Sequence, residues 1–139
     1  MRKIPFSPPD ITEAEISEVI ETLKSGWITT GPKTKALEHA AAEICHTSKA
    51  VCLNSNTACA EMTLRILGVG PGDEVITTPM TFAATVNAIL FTGAKPVFAD
   101  IDRETLDIVP ENIERAVTKA TKAVIPVHFA GMPCDMDKI

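Results

Sequence analysis

Three short segments carry residue types that can bind a ligand or act on it. The first is Asn54-Ser55-Asn56-Thr57-Ala58, which is dense in residues that cap helices. A helix start leaves its first backbone N–H groups unpaired, and those groups together with the helix dipole attract an anion such as phosphate. An ordinary helix cap has the same composition, so both readings stay open here. The second is Pro79-Met80-Thr81-Phe82-Ala83-Ala84-Thr85. Phe82 offers a stacking face for a flat heteroaromatic ring, and the Thr81 and Thr85 hydroxyls offer hydrogen-bond donors. A core phenylalanine preceded by a threonine N-cap fits the same letters. The third is Pro126-Val127-His128-Phe129-Ala130-Gly131. His128 is the one histidine that follows a strand-like run, and it fits a satisfied imidazole as well as a functional one.

Other motifs carry less. Gly68-Val69-Gly70-Pro71-Gly72 follows a helix and precedes a strand. A dinucleotide fingerprint needs the reverse order, so these glycines read as a helix stop and a turn. Asp100 and Asp102 lie in a charged, turn-like stretch and read as loop carboxylates. Cysteines 45, 52, 59 and 134 form no Cys-x-x-Cys and have no histidines at zinc-site spacing. They read as small buried thiols.

Periodicity supplies the elements that must position these segments. Thr12 and Glu15 have capping-box spacing, Ile16, Val19, Ile20 and Leu23 then recur on one helical face, and Gly26 ends the run. Pro32 opens a second helix expected to turn Leu37, Ala40, Ala41 and Ile44 inward. Beyond it, strand-like runs at 50–53, 74–77, 96–99 and 123–127 alternate with helical runs at 57–67, 82–92 and 110–118. The helical run from Phe82 to Phe91 is apolar almost all round and is expected to be buried on several sides. Strand–helix–strand at this cadence implies crossovers, and so a mainly parallel sheet with helices on both faces. The whole reads as one α/β unit. In such sheets ligands gather at the carboxyl ends of the strands, where all three segments fall.

The net charge of −5 argues against nucleic acid or an anionic membrane as partner. No apolar run approaches the ~18 residues of a membrane span, and the opening MRKIPFSPPD lacks the features of a signal peptide. A cytoplasmic protein is the expectation.

Taken in order, the segments resemble the DegT/StrS family of pyridoxal-phosphate-dependent sugar aminotransferases over nearly the whole chain. Gly26-Trp27-Ile28-Thr29-Thr30-Gly31-Pro32 resembles the family's amino-terminal loop, and Leu37-Glu38 stands where Phe-Glu is usual. Asn54–Ala58 is similar to its Ser-Gly-Thr-Ala phosphate turn, with Asn56 where glycine is common. Gly70-Pro71-Gly72-Asp73-Glu74-Val75-Ile76 is similar to its Gly-x-Gly-Asp-Glu-Val-Ile connector. Thr81-Phe82, Ala94-Lys95-Pro96-Val97-Phe98, Asp100-Ile101-Asp102, Thr121-Lys122-Ala123 and Pro126-Val127-His128 complete the series.

The resemblance implies that residues 1–139 are the amino-terminal part of the large, cofactor-binding domain of a fold-type I enzyme. It implies pyridoxal 5'-phosphate as cofactor, with Ser55, Asn56, Thr57 and Ala58 at its phosphate and Phe82 against its ring. Thr57 and Ala58 would give backbone N–H groups, and Thr57 its hydroxyl as well. Thr29, Thr30 and His128 would face the substrate, a nucleotide-linked keto-sugar aminated at the expense of a donor such as glutamate. A homodimer is implied too. The family's pyridine-pairing aspartate and Schiff-base lysine lie further along than Ile139, so these residues alone are expected to be inactive, with no catalytic residue among them. A pyridoxamine-phosphate-dependent sugar dehydratase of the same family shares these motifs. A non-catalytic α/β module that binds a phosphorylated ligand or another subunit is the alternative of a different class.

Overall fold

The computed structural model describes residues 7–139. The charged start at residues 1–6 lies outside the described residues. By its internal contacts the chain forms two units, one ending at Cys52 and the other running from Leu53 to Ile139. The α/β pattern belongs to the second alone.

The first unit holds two helices, α1 (Glu13–Ser25) and α2 (Pro32–Ile44). α1 starts as its sequence requires. The Thr12 hydroxyl accepts from Ala14 N–H, the Glu15 carboxylate accepts from Thr12 N–H at 2.6 Å, and Gly26 closes the helix at φ 73°. In the loop that follows, the Trp27 indole donates to the Thr30 carbonyl at 2.9 Å. The ring lies so close to Gly31 that a Cβ there would sit 2.2 Å from it, so only glycine fits. The inward stripe expected of α2 is not buried: Leu37 and Ile44 are exposed, as are Val19 and Leu23 of α1. Periodicity marks an apolar face, but burial needs a second surface, and the described residues supply none.

The second unit is a three-stranded parallel sheet in the order β2-β1-β3, with β1 at Glu74–Thr77, β2 at Lys95–Phe98 and β3 at Thr121–Ile125. The run at 50–53, expected as a strand, has no regular structure. A strand exists only through its ladder, and no described residue pairs with this one. Helices α3 (Asn56–Ile66) and α4 (Ala83–Phe91) cover one face, where Leu64, Val75, Ala88 and Ile89 pack together. On the other face Ile76 packs with Ile108, Cys134 and Ile113 of α5 (Pro110–Ala116). Alternate residues of β1 thus feed opposite cores, as the pleat requires. Arg65 ties α3 to α4 by donating to the Phe91 carbonyl at 2.8 Å. α4 is buried on one side rather than several, with Leu90 and Phe91 exposed. The cysteines are all free, and the burial expected of them holds for Cys134 alone: Cys52 and Cys59 are half-buried and Cys45, at the end of α2, is exposed.

At the amino end of the sheet, Glu74 faces Lys95 across the ladder. It accepts from that ammonium at 2.9 Å and from the Thr118 hydroxyl at 2.7 Å. Both hold its carboxyl below the usual glutamate range, Lys95 foremost. A depressed carboxyl pKa stabilises the fold above the unfolded value of about 4.3, and that contribution fades as pH falls through the lower folded value. Lys95→Met should therefore raise the Glu74 titration midpoint in carboxyl NMR. An unmoved midpoint would show that the pair exerts no such hold.

Candidate functional site

Three connections meet at the carboxyl end of the sheet: the start of α3, the β1–α4 turn and the segment after β3. Together they line a cavity of about 610 Å³ whose walls include Asn56, Thr81, Phe82, Thr85 and His128. That volume lies within the ~300–1,000 Å³ of small-molecule sites. The phosphate-turn candidate, the aromatic candidate and the histidine candidate are therefore brought to one place.

Ser55 is the N-cap of α3, in an extended conformation, and its hydroxyl accepts from Ala58 N–H at 3.1 Å. This changes one expectation. The Ala58 N–H is engaged by the cap and is not free for a ligand. The N–H groups of Asn56 and Thr57, at the first two helical positions, have no acceptor among the described residues. They are the free donors of the turn. Asn56 is helical and has no positive φ, so the position does not need glycine.

Exposure removes one of the two readings of Phe82. Its side chain is 83% exposed, so it belongs to no core. It occupies the N-cap position of α4, where a hydroxyl or carboxamide would ordinarily bond the helix start, and makes no capping bond. The turn beneath it is fixed by buried Thr78, whose hydroxyl accepts from Met80 N–H at 3.0 Å. The Thr81 and Thr85 hydroxyls bond each other at 2.8 Å. One of their two protons is used internally and one remains for a ligand.

His128 precedes a 3-10 turn, Phe129–Gly131, in which Ala130 takes a left-handed φ of 51°. Its Nδ1 accepts from Cys134 N–H at 3.0 Å. The Cys134 thiol donates to the Val127 carbonyl at 3.2 Å. Burial first, and the nearby Asp107 charge second, push that thiol's pKa up and keep it a donor. Asp107 is itself buried and accepts from Phe129 N–H at 3.1 Å. Asp107 belongs to none of the three candidate segments of the sequence. Its signal was one carboxylate set among Leu106, Ile108 and Val109, where a charge is costly unless bonded. Thr29 and Thr30 lie in the helical unit, in the loop braced by Trp27. Among the described residues, no lysine or arginine lines the cavity.

A family model described as the DegT/DnrJ/EryC1/StrS aminotransferase family matches residues 9–139. The spore coat polysaccharide biosynthesis protein SpsC of Bacillus subtilis (strain 168) is 54% identical over 136 residues, 98% of this chain and 35% of SpsC. Spr1654 from Streptococcus pneumoniae, described as a sugar aminotransferase and solved in PLP and PMP forms, is 55% identical. It superposes with a TM-score of 0.90 over 99% of this chain and 35% of its own. NtdA from Bacillus subtilis, solved with bound cofactor PMP, is 36% identical with a TM-score of 0.89, over all of this chain and 33% of NtdA. The chain thus spans about a third of the length of the relatives it matches. Its α/β fold is that of the matching part of these proteins, and it belongs to the DegT/DnrJ/EryC1/StrS aminotransferase family.

Proposed function

We propose that this chain supplies the phosphate seat and one ring face of a pyridoxal-phosphate site, within an enzyme that transfers an amino group to a nucleotide-linked keto-sugar. One observation carries the reading: Asn56, the first residue of a helix start with free amides, and an exposed aromatic side chain line one cavity at the carboxyl end of a parallel sheet. The PLP and PMP forms of Spr1654 and the PMP complex of NtdA support the cofactor. The polysaccharide role named for SpsC and the description of Spr1654 support a sugar substrate.

When bound, the cofactor's ring withdraws electrons from the carbon that bears the transferred nitrogen. The chain's own residues do the holding. Asn56 and Thr57 donate their N–H groups, and Thr57 its hydroxyl, to the phosphate; Ser55 and Ala58 keep that helix start in shape. Phe82 covers one face of the ring and excludes water from it. The spare Thr81–Thr85 proton faces the remaining polar atoms, and His128, expected at the substrate, lines the same cavity. Thr29 and Thr30 form part of the substrate loop, in a cytoplasmic homodimer that takes its amino group from a donor such as glutamate. Residues 1–139 form part of the large domain.

Among the described residues no lysine lines the cavity, so on this reading the covalent anchor and proton carrier come from elsewhere. The 139-residue chain treated with pyridoxal phosphate and borohydride should give no stoichiometric adduct at any single lysine by mass spectrometry. A single specific adduct would contradict this assignment. Saturable binding of pyridoxamine phosphate, which cannot form an imine with lysine, tests the seat itself, and no binding at millimolar concentration would remove it.

A further inference from the structure

The two ring nitrogens of His128 are in different positions. Nδ1 accepts the Cys134 N–H at 3.0 Å. A nitrogen that accepts carries no proton, so the ring's proton is on Nε2. Nε2 has no hydrogen-bond partner among the described residues, and His128 is exposed and lines the cavity. The backbone on both sides is tied down. Val127 is held through its carbonyl by the Cys134 thiol, and Phe129 is held through its N–H by buried Asp107. The turn then closes through positive φ at Ala130 and Gly131. Three consecutive residues are thus anchored to two others, so the imidazole needs little further ordering when it meets a ligand.

We infer that Cys134 and Asp107 are positioning residues that lock His128 as an Nε2–H donor, aimed at an anionic oxygen of the phosphorylated cofactor in the cavity. The inference rests on the reading of that cavity as the pyridoxal-phosphate site and adds a donor to it. It also explains the buried carboxylate and the left-handed Ala130, both of which shape the turn around His128.

The test needs no turnover. In the nitrogen-15-labelled 139-residue chain, a scalar coupling should be seen across the hydrogen bond between the Cys134 amide nitrogen and His128 Nδ1, and the ring proton should be found on Nε2. Absence of the coupling, or a proton on Nδ1, overturns the lock. Pyridoxamine phosphate binding by equilibrium dialysis should weaken about tenfold or more in His128→Ala, as for a hydrogen bond to a charged acceptor. It should recover most of that loss in His128→Gln, whose amide N–H reaches near the Nε2 position. A glutamine variant no better than alanine would overturn the donor role. If His128→Ala binds normally while Phe82→Ala does not, the His128 inference fails and the cofactor site stands. If neither variant changes binding, both fail.

Discussion

Phe82→Ala is expected to weaken pyridoxamine phosphate binding about 5- to 150-fold while changing stability by less than about 0.5 kcal/mol. The binding loss follows from stacking between a flat heteroaromatic ring and an aromatic side chain, about 1–3 kcal/mol, at about 1.4 kcal/mol per tenfold. The small stability change follows from exposure: at 83% exposed, the ring loses almost no packing when truncated. A buried phenylalanine would behave oppositely, costing about 3–5 kcal/mol of stability on truncation. Urea unfolding and equilibrium dialysis on the same two proteins separate the cases. Unchanged binding with lost stability would return Phe82 to the core.

Asn56→Pro should have an effect of similar size at the other end of the ligand. Asn56 is the first helical residue of α3, so its N–H takes part in no helix bond. Proline is favoured there, since its fixed φ suits a helix start. Ser55, at φ −162° and ψ 157°, already has the extended conformation required before proline. The fold should therefore keep its stability or gain a few tenths of a kcal/mol. The phosphate loses one hydrogen bond from a neutral donor to a charged acceptor, about 1.5–3 kcal/mol, or about 10- to 150-fold in affinity. Inorganic phosphate should show the same ratio more weakly. Normal binding in this variant would exclude the α3 amides as the seat.

What the sequence disclosed of this site, and what it withheld, follows from which interactions leave a trace in residue type. β1, α3 and the turn between them were legible because Ser55, Gly68, Gly72 and the apolar runs each have a local physical meaning. The apolar stripes of α1 and α2 were legible as stripes, yet nothing in Leu37 or Ile44 says what surface would cover them. The run at 50–53 has strand composition but lacks a partner strand, and pairing is a property of two segments, not one. Phe82 could not be assigned from its letter, since a core ring and a pocket ring look alike; exposure takes it out of the core. The hold on His128 comes from a backbone N–H at Cys134, a donor that nearly every residue type possesses, so sequence could not show it.

The central claim is that the start of α3 was shaped to receive a phosphate beside Phe82. It is tested most directly by following backbone amide resonances while pyridoxamine phosphate is added, with pyridoxamine lacking the phosphate as control. The account predicts large, saturable shifts of the Asn56 and Thr57 amides with the phosphorylated compound and almost none with the control. Equal shifts with both compounds, or shifts that leave Asn56 and Thr57 untouched, would contradict it.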